Sequence, residues 1–175
     1  MLDESKIRVM IDEDTISSRI RELGDEISMD YAGEELILVC ILKGGVMFMT
    51  ELAKRLSTPC TMEFMRVSSY GNATTSSGNV KILQDIEADV RGKNVLIVED
   101  IVDTGRTLHE VKALMKSRGP KSVSIVTLLD KPQMRVAPVV IEYTGFVIED
   151  KYVLGYGLDY EQHYRNLPYV AYFEN

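Results

Sequence analysis

The stretch Asn94-Val-Leu-Ile-Val-Glu-Asp-Ile-Val-Asp-Thr-Gly-Arg-Thr-Leu108 indicates how this chain folds and where it binds a ligand. Its apolar run, residues 95–98, is short and rich in β-branched side chains, which is typical of a strand covered on both faces. Two acids and a short polar loop follow. Apolar residues at helical spacing then continue until Gly119, so the stretch predicts the order strand, acidic pair, polar loop, helix.

The polar loop, residues 103–107, has the properties of an anion site. A loop that ends at a helix N-terminus presents unpaired N–H groups and the positive end of the helix dipole. Gly105 lets the backbone approach a ligand closely, and Thr104 and Thr107 add hydroxyl donors. The loop matches neither the Walker A pattern nor the Gly-x-Gly-x-x-Gly dinucleotide turn. It therefore predicts a phosphate site of another kind, with acids nearby for vicinal hydroxyls or a divalent metal.

Length and charge exclude several classes of protein. A chain of 175 residues suits one α/β domain, and a net charge of −7 argues against nucleic acid as the main partner. No apolar run approaches the length of a membrane span, and the sequence begins with acidic residues rather than a signal-like segment. Cys40 and Cys60 lie outside any Cys-x-x-Cys pair, so neither a disulfide framework nor a zinc site is expected. We expect a soluble cytoplasmic protein without a membrane partner.

Strands and helices alternate over the first three quarters of the chain. Periodicity predicts helices over residues 12–32 and 46–56 and strands over residues 36–42, 61–67, 80–83 and 122–129. This order is typical of a mostly parallel sheet with helices on both faces. The loops after residues 42, 99 and 129 should gather at its carboxyl edge, where such sheets bind ligands. Residues 139–148 are β-rich, and the aromatic, glycine-rich residues 152–160 predict a small hood over the site.

Residues 95–108 resemble the phosphoribosyl diphosphate (PRPP) signature of type I phosphoribosyltransferases. The resemblance extends to Leu42-Lys-Gly-Gly45, to Ser69-Tyr70 and to residues 151–165, and so covers nearly the whole chain. It is closest to the bacterial-type hypoxanthine-guanine phosphoribosyltransferases. The implied fold is the type I phosphoribosyltransferase α/β fold: one domain over residues 1–175, with a mostly parallel twisted sheet flanked by helices. The implied hood subdomain comes from about residues 131–175 and the N-terminal segment.

The resemblance also implies a reaction in purine salvage. It is the transfer of 5-phosphoribosyl from PRPP to N9 of hypoxanthine or guanine, giving IMP or GMP and pyrophosphate, with Mg²⁺ as cofactor. The family implies a homodimer or homotetramer. Two alternatives stay open: a regulator that binds PRPP without catalysis, and a phosphoribosyltransferase that prefers xanthine. The excess of 27 acids over 20 basic residues and the intact candidate base at Asp103 disfavour the regulator.

The matched motifs assign roles by position. Asp103 matches the catalytic proton acceptor. The ribose and 5′-phosphate of PRPP are assigned to Glu99, Asp100, Asp103, Thr104, Gly105, Arg106 and Thr107. Pyrophosphate is assigned to Lys43, Gly44 and Arg165, and the purine to Lys131, Tyr152, Val153 and Asp159. The metal is assigned to Glu99, Asp100 and Asp159. Residues 68–79 are assigned to a mobile lid, with Ser69 and Tyr70 where the lid begins. The Leu42–Lys43 peptide is implied to be cis.

Overall fold

The computed structural model describes residues 6–69 and 80–174 of the chain. The strands are β1 (Ile7–Ile11), β2 (Leu36–Ile41), β3 (Cys60–Ser69), β4 (Val80–Gln84), β5 (Asn94–Val102), β6 (Ser122–Asp130), β7 (Tyr143–Val147), β8 (Val153–Leu154) and β9 (Val170–Phe173). The helices are α1 (Glu13–Asp30), α2 (Val46–Ala53) and α3 (Arg106–Ser117), and a 3₁₀ turn covers Pro132–Met134. None of the helices among these residues has the length and hydropathy needed to cross a membrane.

Two sheets make up the β-structure of the described residues. The larger has six strands in the order β4-β3-β2-β5-β6-β7, and every neighbouring pair is parallel except β3 with the edge strand β4. The smaller sheet has the order β1-β9-β8 and is antiparallel. The predicted mostly parallel sheet is therefore confirmed, and a separate small sheet joins the two ends of the described chain.

Alternate residues of β2 enter two different cores. Leu36, Leu38 and Cys40 pack in one cluster with the buried faces of α1 and α2. Ile37, Val39 and Ile41 face the other way and pack with α3. Because side chains alternate across a strand, a continuous apolar run is what a strand covered on both faces requires. Helices on both faces of the sheet, as predicted, are confirmed.

Local sequence features determine where α1 begins, which face it buries and where it ends. Asp12 caps α1, accepting a hydrogen bond from the Thr15 amide at 2.8 Å. Ile16, Leu23 and Ile27 lie on one face and are fully buried. The helix ends at Asp30, shortly before Gly33, which takes a left-handed φ of +78°. The predicted helix was two residues longer at this end.

Several strands also differ from the sequence predictions. β5 was expected to end at its acids, but it continues through Glu99 and Asp100 because its pairing with β6 extends to Val102 opposite Asp130. Only Tyr143–Val147 of the β-rich residues 139–148 forms a strand. The strands β1 and β9 were not predicted, because each is stabilised mainly by a partner at the opposite end of the sequence.

Candidate active site

The polar loops that follow β2, β5 and β6 meet at the carboxyl edge of the large sheet. Gly44, in the loop after β2, lies against the carboxylate of Asp100 on β5. The Lys131 amide, just after β6, donates to the Val102 carbonyl at the end of β5 at 2.9 Å. This is the edge at which open α/β sheets bind ligands, as expected from the strand order.

The loop between β5 and α3 has the geometry of an anion site. Gly105 is the N-cap of α3 and has a left-handed φ of +76°, which a residue with a side chain would adopt only with strain. Arg106 and Thr107 form the first turn of the helix, where amides have no intrahelical acceptor. A cleft of about 170 Å³ lies over this loop and is lined by Glu99, Asp100, Ile101, Val102, Asp103, Thr104, Gly105, Thr107 and Leu108.

The two acids of β5 form a tightly packed pair of carboxylates. Glu99 accepts a hydrogen bond from the Asp100 amide at 3.0 Å, and Asp100 accepts one from the Ile101 amide at 2.7 Å. Burial and the adjacent Asp100 raise the pKa of Glu99 well above its usual range. Burial also raises the pKa of Asp100, although the hydrogen bonds it accepts and the charge of Arg165 oppose this. The pair would gain from a cation or from hydroxyl donors.

Two glycines allow the loop after β2 to approach the acids. A Cβ on Gly44 would lie 2.6 Å from Asp100 Cγ and closer still to Oδ2. Gly157 has a φ of +98° and packs on the Gly44 carbonyl so closely that its own Cβ would overlap that oxygen. The Leu42–Lys43 peptide is cis, which confirms the expectation drawn from the family resemblance.

Lys43 and Arg165 approach each other through Gln162. Lys43 Nζ donates to Gln162 Oε1 at 2.9 Å, and Arg165 pairs with Asp159 at 2.7 Å. Arg165 also donates to the Gly157 carbonyl at 2.6 Å, while its Nε is buried without a hydrogen-bond partner among the described residues. Gln162 was not among the site residues predicted from the sequence. Its position three residues after Asp159 in the matched segment was a weak signal, since that spacing suits a turn whose carboxylate accepts the Gln162 amide.

The residues assigned to the purine lie between β6 and the small sheet. Lys131 is only 5% exposed, and its ammonium donates to the Lys151 carbonyl at 2.7 Å and to Asp150 at 3.2 Å. Tyr152 is 59% exposed and its hydroxyl donates to the Asp159 carbonyl at 2.9 Å. Val153 is buried in β8. An exposed aromatic ring thus lies near a buried cation.

The ring of Tyr152 is supported by two further aromatic side chains. It meets Tyr160 edge-to-face at 6.0 Å between centroids, and Tyr160 meets Phe173 of β9 in the same way at 5.9 Å. The small sheet therefore helps to orient Tyr152.

Some of the predicted site residues are not drawn into these contacts. Asp103 and Arg106 are exposed at the loop. Asp159 pairs with Arg165 instead of joining Glu99 and Asp100, and no group of three or more metal-binding side chains occurs within residues 6–69 and 80–174. Ser69 is the last residue of β3, and Tyr70 with the rest of the predicted lid lies outside the described residues.

Comparison with known proteins identifies the family. The family model described as "Phosphoribosyl transferase domain" matches residues 12–161. A hypoxanthine-guanine phosphoribosyltransferase of Streptococcus pneumoniae is 48% identical, over 98% of this chain and 95% of that protein. A crystal structure of a hypoxanthine phosphoribosyltransferase from Staphylococcus aureus superimposes with a TM-score of 0.94 at 44% identity, over 98% of this chain and 94% of that one.

A longer relative contains a similar domain. The bifunctional protein TilS/HprT of Listeria innocua is 52% identical over 94% of this chain, which spans only 25% of that protein. The matches to proteins of similar length and the shared fold confirm the resemblance found in the sequence. The chain belongs to the phosphoribosyltransferase family and, within it, to the group of hypoxanthine and hypoxanthine-guanine phosphoribosyltransferases.

Proposed function

We propose that this chain is a purine-salvage enzyme that transfers 5-phosphoribosyl from PRPP to N9 of hypoxanthine or guanine, giving IMP or GMP and pyrophosphate. One observation carries the proposal. The acidic pair of β5 is in direct contact with the Gly44 loop on one side and borders the phosphate loop on the other. The cleft over this loop thus offers a phosphate site and acceptors for a sugar, and the loop that contacts Asp100 also carries the cation Lys43. These are the parts that PRPP requires.

The loop before α3 suits the 5′-phosphate. Amides of the first helical turn and the hydroxyls of Thr104 and Thr107 would donate to its oxygens. Arg106, exposed at the first helical position, would add a cation. The left-handed Gly105 keeps this backbone open to the ligand.

Lys43, Gly44 and Arg165 suit the pyrophosphate. Breaking the C1–O bond of PRPP leaves negative charge on this group, so cations that meet it lower the barrier. In the structure, Lys43 is held by Gln162 and Arg165 by Asp159. Pyrophosphate oxygens would take the place of the Gln162 amide oxygen.

Glu99 and Asp100 suit the ribose and a Mg²⁺ ion. Both are packed carboxylates with raised pKa values, so hydroxyl donors or a divalent cation would stabilise their charged forms. An all-oxygen donor set is also what Mg²⁺ prefers. Together with PRPP they would hold the ion, and Asp159 would join them on leaving its pair with Arg165. The bound ion would neutralise charge on the departing pyrophosphate.

Asp103 suits the proton transfer that accompanies attack by the purine. It stands at the start of the phosphate loop with an exposed side chain, so it is accessible to a base above the ribose. A carboxylate placed there would accept the N7 or N9 proton as N9 forms its new bond to C1.

Lys131, Tyr152, Val153 and Asp159 suit a 6-oxopurine. The Lys131 ammonium would donate to O6, while the Val153 carbonyl and the Asp159 region would accept from N1 and the 2-amino group. The exposed ring of Tyr152 would stack on the base. Adenine carries a donor at position 6 and would face Lys131 donor to donor, which disfavours it.

A transfer assay with five bases tests the function. Purified protein is mixed with PRPP, Mg²⁺ and one of hypoxanthine, guanine, xanthine, adenine or uracil, and nucleotide formation is followed by ultraviolet absorbance. We expect transfer to hypoxanthine and guanine, and its loss on chelation of the metal. Faster transfer to xanthine would show that the proposed substrate is wrong. PRPP binding without transfer to any base would refute the proposed catalytic function and favour a PRPP-binding regulator.

The same family supports three further proposals: assembly as a homodimer or homotetramer, a lid over residues 68–79 that closes through Ser69 and Tyr70, and a cytoplasmic location. Light scattering tests the assembly, and the mass of a single protomer would overturn it.

A further inference from the structure

We propose that Arg135 is a positioning residue: through an ion pair with Asp130 it holds the phosphate loop in place relative to the base site. The proposal rests on the proposed function, because that function names the ligand of the loop. Arg135 was not among the residues assigned from the sequence. It follows the 3₁₀ turn after β6 and has no assigned role in the reaction.

The ion pair is largely shielded from water. The Arg135 side chain is 19% exposed and that of Asp130 is 12% exposed, and Arg135 Nη2 donates to Asp130 Oδ1. Asp130 is the last residue of β6 and is fixed on both sides, opposite Val102 of β5 and by the Ile148 amide, which donates to its carbonyl at 2.9 Å. The guanidinium is therefore anchored to the rigid part of the sheet.

Arg135 and the residues after it pack directly on the phosphate loop. A Cβ on Gly105 would lie 2.8 Å from Arg135 Cδ and 2.8 Å from Val139 Cγ1. The amides of Val136 and Ala137 both donate to the Thr104 carbonyl, at 2.9 and 3.0 Å. The segment that begins with Arg135 thus packs against Gly105 and is hydrogen-bonded to Thr104 of the phosphate loop.

Packing alone does not account for an arginine at this position. Its Nη1 is buried without a hydrogen-bond partner among the described residues. An apolar side chain of similar length would fill the same space without an unpaired buried donor, but it would leave the Asp130 carboxylate without a partner. The charge is therefore needed for its bond to Asp130, which fixes where the segment lies.

That bond joins the two ends of the nucleotide site. Asp130 is followed directly by Lys131, the proposed donor to the purine O6, while Arg135 supports the loop proposed for the 5′-phosphate. The ion pair consequently sets the distance between the base donor and the phosphate loop. Ligands that span both, such as IMP, depend on this distance, whereas inosine, which lacks the phosphate, does not.

The test compares two variants that each remove one buried cation involved in holding residues 135–142 in place. Arg135→Met removes the pair with Asp130. Lys112→Met removes a similar pair, because Lys112 donates to Glu142 at 2.5 Å and to the Val140 carbonyl at 3.0 Å, but it anchors the segment to α3 rather than to the phosphate loop. Urea unfolding measures the loss of stability in each, and equilibrium dialysis measures the affinity for IMP and for inosine.

We expect Arg135→Met to weaken the binding of IMP by about tenfold to a hundredfold, because displaced binding groups lose their contacts with the ligand. The affinity for inosine should be nearly unchanged. Lys112→Met should lose comparable stability and keep its IMP affinity, and Arg135→Lys should restore part of the loss. If Arg135→Met does not fold, Arg135→Lys against Lys112→Met carries the same comparison.

Equal IMP affinity in the Arg135 and Lys112 variants, or equal losses of affinity for IMP and inosine, would overturn the proposed role of Arg135. The proposed function would still stand. Failure of the unmodified protein to bind IMP would instead overturn the proposed function.

Discussion

Gly44→Ala should remove activity while leaving the protein folded. The added methyl group would lie 2.6 Å from Asp100 Cγ and closer to Oδ2, whereas unstrained contacts begin near 3.4 Å. The Asp100 carboxylate or the loop must therefore move by roughly 1 Å or more. Such movement disturbs the hydrogen bond from the Ile101 amide at 2.7 Å. We expect a stability loss of about 1–3 kcal/mol, typical of overpacking.

The effect on activity should be much larger than the effect on stability. A misplacement of about 1 Å in a catalytic arrangement lowers rates by roughly a hundredfold. We therefore expect kcat/KM for PRPP to fall at least that far, because Asp100 would hold the ribose and Gly44 the pyrophosphate. Affinity for IMP, which lacks pyrophosphate, should fall less. Steady-state kinetics at varied PRPP, with urea unfolding on the same samples, measures both quantities.

Gly92→Ala is the matched control. Gly92 has a left-handed φ of +69°, so alanine there is strained, but a Cβ would meet nothing within 4 Å. We expect it to lose stability, by about 1 kcal/mol, with unchanged kinetics. If folded Gly44→Ala keeps kcat/KM within about threefold of the unmodified protein, the close approach of Gly44 to Asp100 does not govern catalysis and the reasoning is refuted.

Three further outcomes are expected. Asp103→Asn should keep PRPP binding, measured by calorimetry, but lower turnover by about 10² to 10⁴; unchanged turnover would remove it from proton transfer. Lys43→Ala should weaken the binding of PRPP far more than that of IMP, because only PRPP carries the pyrophosphate that the Lys43 charge would meet. Equal losses of affinity would assign Lys43 a structural role through Gln162. Burial raises the pKa of Cys40 to about 12, so a disulfide reagent at pH 8 should modify this thiol only after urea unfolds the protein. Rapid labelling of the native protein would contradict the burial of Cys40.

Local features of the fold could be predicted from the sequence. The α/β architecture follows from apolar runs and caps that act within a few residues, as for β2 and for Asp12 before α1. The phosphate loop follows from Gly105 between an apolar strand and a helix. Both signals are short in range, so no knowledge of the tertiary structure was needed.

Features that depend on distant partners could not be predicted. β5 runs past its acids because β6 pairs with it as far as Asp130, and nothing near Glu99 in the sequence indicates that register. Gln162 links Lys43 to the hood across more than a hundred residues. The ion pair of Asp130 with Arg135 is local in sequence, yet its meaning appears only when the contact of Arg135 with Gly105 is known.

The pairing of β1 with β9 determines the order in which the protein can be completed during synthesis. Ile7 lies opposite Phe173, so β1 cannot complete its pairing until β9 has been synthesised. β2, β5 and β6, which carry the phosphate loop, are all synthesised earlier and have their partners among themselves. Since distant pairings form more slowly than nearby ones, we expect the phosphate loop to form before β1 pairs with β9. The support for Tyr152, which runs through Phe173, can form only after β9 has been synthesised.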